Sequence, residues 1–326
     1  MKVVLTIFIS LCWIDLFGQN YFEYQKTFNR IDNDILSNNL STASKRLDTI
    51  YNSYDFIYAK HCIKALQISC IQNDTSNADK WLRKCFIQGV PFWIIRDNEI
   101  TSKVFNYSQT KNSLLFYDSL RTVYKSSINI SVSKTIDSLY VIDQEFTNKV
   151  NNGFILFRHT IYGIQWINNN RKQFNVIKNI IDNYGFPGEQ LIGLSSYYQD
   201  SVEAYKDVLF YGPSIDDYRT YIMLIHYFSS PRNDINEALI SSVRQGFLPA
   251  YQYGAINDFN VLYGKKKNSS EFYNVWHDDP KIENNPKINS RRQLIGLSPI
   301  LEQNRNIQIS KDRRKSKTIH SEIILE

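Results

Sequence analysis

Apolar residues recur along much of the chain at intervals of three and four, which is the spacing of one face of an α-helix. In the second half, one such face carries Ile136, Leu139, Phe146 and Val150. Further helices are predicted over residues 172–183, after Asp216 and over residues 234–244. The pattern therefore predicts a mostly α protein, with a short helical-repeat domain followed by a mainly helical C-terminal domain.

The first part of the chain contains an internal repeat. Residues 40–51, "LSTASKRLDTIY", align with residues 75–86, "TSNADKWLRKCF", so that Leu47 matches Leu82. The helices that precede these two segments align at the same offset of about 35 residues, and their apolar positions coincide. Leu82 is therefore predicted to lie on the buried stripe of its helix.

A helix–turn–helix period of this length resembles the tetratricopeptide repeat family, whose unit has about 34 residues. The resemblance implies a repeat domain over residues 19–127, with two full units and a degenerate third. In that third unit, residues 113–124 align with the segment that contains Leu82 at close to the same offset, but residues 91–100 are predicted not to be helical. A degenerate last unit is typical of the cap that ends a repeat array.

Glycine and proline mark the ends of several predicted helices. The stretch "IIDNYGFPGEQLIG" (residues 180–193) places Gly185 after the last apolar-periodic position, and Pro187 follows two residues later. Glycine in that place predicts a helix end, and proline cannot continue the helix. A phosphate-binding loop would need glycines that open a helix after a strand, so we interpret this stretch as a turn.

The N-terminus is predicted to be a secretory signal peptide, residues 1–18. Lys2 precedes an apolar run over residues 3–13, and Gly18 is the small residue before a cleavage site. The apolar run is shorter than the roughly 20 residues that span a bilayer, so no transmembrane segment is predicted in the mature chain. The localisation is then periplasmic or extracellular. Retention of residues 1–18 as an anchor is the alternative.

The net charge of +6 does not predict a nucleic-acid-binding face. The segments "KDRRKSK" (residues 311–317) and "GKKK" (residues 264–267) together carry more positive charge than the whole chain has in excess. The first belongs to a basic tail, residues 305–326, which is predicted to be a mobile end. Nucleic acid would need a basic face on a folded domain, so no nucleic-acid partner is predicted.

A serine-rich connector, residues 125–134, marks the predicted boundary of a second domain, residues 128–304. Its motifs include an Asp143-Gln144 pair, "LIHYF" with His226, "INDF" with Asp258 and "EFYNVW" with Tyr273. From residue 136 to residue 304, these motifs and a closing "RRQLIGL" resemble an uncharacterised bacterial family, a domain of unknown function. The resemblance implies a shared polar site but no activity, since no activity of the family can be transferred.

Asp143 and His226 are the candidate site residues that the helical pattern itself singles out. Position 143 completes the apolar stripe of its helix, and His226 follows Met223 and Ile225 near an apolar face. Burial of either polar group alone is costly, whereas a hydrogen-bonded pair compensates much of that cost. We therefore predict that the two side chains meet in one polar cluster. The resemblance to the uncharacterised family implies that Gln144, Asp258 and Tyr273, which match its other polar motifs, also belong to this cluster. A purely structural role for each residue is the alternative.

Other chemistry has weak support in the sequence. None of the five histidines pairs with another histidine or a cysteine at a zinc-binding spacing, and no serine or cysteine lies in a recognisable nucleophile motif. No metal, cofactor or disulfide framework is predicted, and Cys62, Cys70 and Cys85 are expected to be small buried side chains. The preferred prediction is a secreted helical-repeat protein that binds a protein or peptide partner. The alternative is a hydrolase-like enzyme that uses Asp143 and His226.

Overall fold

The computed structural model describes residues 19–194, 215–227, 235–263, 272–275 and 282–315. These residues are mostly helical and contain no strand, which confirms the predicted fold class. The α-helices of the described ranges are α1 (Tyr21–Leu36), α2 (Leu40–Ser53), α3 (Ala59–Ile71), α4 (Thr75–Ile87), α5 (Phe92–Asp97), α6 (Lys111–Leu115), α7 (Tyr117–Ser127), α8 (Ile130–Asn152), α9 (Gly163–Tyr184), α10 (Glu189–Ile192), α11 (Arg219–His226), α12 (Asn236–Gln245), α13 (Ala250–Tyr263), α14 (Pro286–Leu294) and α15 (Ile300–Lys315). A 3-10 helix (Thr101–Asn106) follows α5, and a π-helical turn (Arg158–Tyr162) precedes α9.

The helix pairs α1–α2 and α3–α4 have turns of the same geometry. Asn38 and Asn73 both adopt a left-handed backbone, with φ of 59° and 54°. The next residues, Asn39 and Asp74, accept hydrogen bonds from the first turns of α2 and α4. Leu82 is fully buried, as predicted. The turns thus recur at the offset seen in the sequence, while membership of the tetratricopeptide family stays a prediction.

Three expectations about the boundaries need adjustment. Residues 91–100 were expected not to be helical, but they contain α5, which starts directly after Pro91, whose φ of −65° suits the start of a helix. The serine-rich connector is divided between α7 and α8, so that only two residues separate these helices. Helix α15 continues through residues 305–315 of the predicted tail. The signal peptide and residues 316–326 lie outside the described residues.

The predicted helix end at Gly185 is confirmed. Helix α9 stops at Tyr184, Gly185 has a φ of 87°, and its N–H donates to the carbonyl of Ile181. Gly246, with a φ of 83°, ends α12 in the same manner. Because L-residues with a side chain rarely adopt this backbone, glycine sets both helix ends.

The two halves of the chain pack closely against each other through α3. Every residue from Ala59 to Cys70 is buried. Tyr58, just before this helix, donates its hydroxyl hydrogen to the carbonyl of Gly246, and the N–H of Ala59 donates to the carboxyl of Glu189. The core of the first half also includes Leu194 and Ile215. The second half of the chain therefore packs over α3 and covers the side of the helical pairs on which α3 lies.

The three described cysteines are free and buried, as predicted. Burial raises the pKa of the Cys70 thiol to about 12, so this side chain stays a protonated thiol at neutral pH. None of the helices in the described ranges is long and apolar enough to cross a membrane.

Glu189 should make the folded state less stable as the pH rises. Burial, opposed by the hydrogen bond from Ala59, raises the pKa of this carboxyl well above its ordinary value of 4.5. The folded chain then keeps a proton that the unfolded chain loses, so stability falls as the pH rises above that ordinary value. Glu189→Gln cannot ionise, and its amide oxygen can still accept from Ala59. We expect the free energy of unfolding of Glu189→Gln, measured with urea, to increase relative to that of the wild type as the pH rises from about 5 to about 8.

The matched control is Glu145→Gln, because Glu145 is exposed on α8. Its difference from the wild type should change little over the same pH range. A difference between Glu189→Gln and the wild type that stays constant with pH would contradict the raised pKa of Glu189.

Candidate functional site

Helices α8 and α11 bring Asp143 and His226 together, although the two residues are 83 positions apart in the sequence. The Nδ1 atom of the His226 ring lies 2.8 Å from Oδ2 and 3.0 Å from Oδ1 of Asp143. The side-chain amide of Gln144 donates to the same carboxylate at 2.9 Å. The predicted contact among these three residues is therefore confirmed.

The two partners differ in their access to solvent. The Asp143 side chain is fully buried, whereas 18% of the His226 side chain is exposed. In the part of the chain that the structure describes, the hydrogen bonds of the His226 ring involve Nδ1 alone. A neutral ring that donates from Nδ1 to a carboxylate carries its free lone pair on Nε2. The arrangement thus orients the ring and leaves Nε2 as a proton acceptor.

Helix α9 forms the third side of this site. The Trp166 ring packs edge-on against the His226 ring, with 5.4 Å between the ring centroids. One turn further along, the Asn170 amide donates to the backbone carbonyl of His226 at 3.0 Å. Gln173, another turn on, donates to the carbonyl of Leu139 at 2.6 Å. These contacts fix α9 against both helices that carry the pair.

Several polar atoms on this face of α9 are buried without a hydrogen-bond partner among the described residues. They are Nδ2 of Asn169, Oδ1 of Asn170 and Oε1 of Gln173. Buried amide groups of proteins are nearly always paired with protein, water or ligand, because an unpaired group costs about 1–3 kcal/mol. These three amide atoms lie out of contact with solvent, so their unmet hydrogen bonds are a local cost in stability.

Asp258 and Tyr273 belong to a different cluster, which corrects the prediction of one five-membered site. The Asp258 carboxylate accepts hydrogen bonds from the backbone N–H groups of Tyr273, Asn274 and Val275. Within the described residues, no hydrogen bond joins Asp258 or Tyr273 to Asp143, Gln144 or His226. The predicted residues fall into two separate clusters because Asp258 binds the backbone of residues 273–275 and not the side chains of the Asp143–His226 pair.

Arg292 completes this second cluster from the opposite side. Its guanidinium donates to the carbonyls of Tyr273 and Asn274, at 2.8 and 3.2 Å. Burial lowers the pKa of Arg292 to about 10, and the nearby Asp258 carboxylate opposes that shift. Asp258 and Arg292 thus bind the donors and the acceptors of the same backbone segment. We assign this cluster a structural role.

The sequence did not reveal a third set of buried charges, which lies where the two halves meet. Lys60 on α3 contacts the Asp216 carboxylate at 3.4 Å, and its ammonium lies over the Tyr251 ring. Next to them, Arg219 binds the buried Asp217 at 2.7 Å and also pairs with Asp137. Although burial lowers the pKa of Arg219, these two carboxylates raise it overall. No spacing motif connects these residues, so only the "IDDYR" run (residues 215–219) could have signalled them.

The described residues contain no group of three or more His, Cys, Asp or Glu side chains that could hold a metal ion. The sequence also predicts a turn at "WHDDP" (residues 276–280), whose side chains include possible oxygen ligands, but this segment lies outside the described residues. The Asp143–His226 pair combines a buried carboxylate with a partly exposed imidazole, and this geometry suits acid–base chemistry.

Comparison with known proteins does not change this assignment: no family model matches the chain, and no curated protein or solved structure is significantly similar to it.

Proposed function

We propose that Asp143 and His226 form the proton-accepting centre of a hydrolase-like site between α8, α9 and α11. The observation that carries the proposal is the contact of both Asp143 carboxylate oxygens with Nδ1 of a partly exposed His226 ring. A buried carboxylate that orients an imidazole is a recurring arrangement in enzymes that activate water or a hydroxyl group.

The roles of the residues follow from their positions. His226 acts as the general base, since Nε2 is able to take a proton from a water molecule. Asp143 holds the ring in the required tautomer and stabilises the imidazolium that forms. The substrate would reach the site from the exposed side of the His226 ring. The activated water would then attack an electrophilic carbonyl or phosphoryl centre of that substrate.

Binding of a protein or peptide stays a prediction for this chain. It was based on the concave surface that stacked helical pairs usually present. Here, α3 is buried along nearly its whole length, and the second half of the chain occupies its face. A partner would have to use another surface, so the Asp143–His226 pair has the stronger support.

Removal of the base should abolish hydrolysis and leave the fold intact. We expect the wild type to hydrolyse one class within a panel of 4-nitrophenyl esters and 4-nitrophenyl phosphates. His226→Gln should lower kcat by about 100- to 10,000-fold, which is the usual contribution of a positioned general base. Asp143→Asn should also lower kcat, because it no longer stabilises the imidazolium. Glu145→Gln, the exposed carboxylate on the same helix, is the matched control and should keep full activity.

A second measurement does not depend on the substrate. In the neutral ring, nitrogen-15 NMR should show His226 protonated on Nδ1 and unprotonated on Nε2. Asp143→Asn should remove this preference, because an amide can donate as well as accept. A wild-type ring that is protonated on Nε2, or equal activity of wild type and His226→Gln, would contradict the proposal.

A further inference from the structure

The connection between α8 and α9 exposes an unusual concentration of large apolar side chains. We call residues 154–164 the hairpin tip, because α8 and α9 pack against each other and this segment joins them. Six of its eleven residues have large apolar side chains that are 41% to 72% exposed. They are Phe154, Ile155, Leu156, Phe157, Ile161 and Ile164. Isolated exposed apolar residues are normal on protein surfaces, but a contiguous group marks an interaction surface.

The hairpin tip has a defined local structure. The Arg158 guanidinium donates to the carbonyl of Gly153 at 2.6 Å, which closes the turn after α8. The Phe157 ring packs against the rings of Phe154 and Tyr162, with centroid distances of 5.4 and 6.1 Å. The backbone N–H of Phe157 also donates to the carbonyl of Phe154. The apolar side chains are therefore displayed by an organised turn.

The charged residues nearest to the hairpin tip are basic. Arg158 lies within the hairpin tip, and Lys149 lies about one turn before it on α8. Lys149 is exposed, with its ammonium 5.2 Å from the centre of the Phe146 ring. The nearest acidic residue along the chain is Glu145, nine residues before the hairpin tip. A protruding apolar turn with a basic flank has the composition of segments that insert into the interface of an anionic membrane.

We propose that the hairpin tip inserts into the surface of an anionic lipid bilayer. A second copy of the chain fits this surface less well, because its own hairpin tip would bring further basic residues against Lys149 and Arg158. Insertion here means that the apolar side chains enter the interface while the basic side chains contact lipid phosphates. The inference does not depend on the proposed chemistry of His226.

The test is binding of the full chain to sedimented vesicles of phosphatidylcholine, with and without about one third phosphatidylglycerol. We expect binding to the anionic vesicles, and we expect Ile155→Ser/Leu156→Ser to weaken it by about tenfold or more. Lys149→Gln should weaken it by about fivefold, since each basic residue near an anionic surface contributes about that factor. Because all variants keep residues 1–18, any binding by that apolar segment is common to them.

The matched control is Leu294→Ser/Leu301→Ser, which removes two exposed leucines from α14 and α15. It should bind anionic vesicles within about twofold of the wild type. Three results would overturn the proposal: no binding of the wild type to anionic vesicles, equal binding of the tip variant, or equal binding to neutral vesicles. Self-association in sedimentation velocity that only the tip variant abolishes, without vesicle binding, would instead assign this surface to a second copy.

Discussion

Replacement of Lys64 by methionine should lower the free energy of unfolding by about 3–5 kcal/mol. The Lys64 side chain is fully buried on α3, and its ammonium lies 2.6 Å from a carboxylate oxygen of Asp32 on α1. Methionine preserves most of the side-chain length but removes the Lys64 ammonium from the buried Asp32 carboxylate. Loss of one member of a buried ion pair is costly because the remaining charge has already lost its hydration.

The double variant Asp32→Asn/Lys64→Met separates the cost of an unpaired charge from the cost of altered packing. It removes both charges, so we expect it to be at least about 2 kcal/mol more stable than Lys64→Met alone. Urea denaturation with an unchanged m value would show that both variants unfold from the same compact state. A loss below about 1 kcal/mol for Lys64→Met would mean that this pair is hydrated in solution.

Leu82→Ala should lower the free energy of unfolding by about 2–5 kcal/mol. Leu82 on α4 is fully buried within the core of the first half, where α3 and α4 pack together. Truncation removes apolar contacts and leaves a cavity that a closely packed interior fills only partly. Chemical denaturation at neutral pH measures the loss.

Leu115→Ala supplies the matched control, since the same truncation falls on a leucine that is 78% exposed on α6. Its effect should stay within about 0.5 kcal/mol of the wild type. If Leu82→Ala proved equally mild, the position of Leu82 on the buried stripe of the repeat would be refuted.

Local patterns in the sequence were sufficient for the helices and for several of their ends. A helix forms its backbone hydrogen bonds within its own segment. The periodic apolar positions of a helix and the glycine that ends it therefore lie close together in the sequence. Gly185 therefore signalled the end of α9, and the stripe through Ile136 correctly placed Asp143 on a buried face. The apolar pattern did not predict the short helix α5, because six residues are too few to display a period.

The partners of buried polar groups were decided by the tertiary structure. Asp143 and His226 were expected to meet because each was a polar residue on an apolar face, and burial favours their pairing. Asp258 was a candidate because it matches a motif of the resembled family, but its carboxylate accepts hydrogen bonds from the backbone of residues 273–275. No spacing in the sequence indicates this contact. Lys60 and Asp216 likewise meet only because α3 lies between the two halves. A charged side chain specifies that it needs a partner of opposite charge or a hydrogen bond, whereas the packing of helices distant in sequence determines which group supplies it.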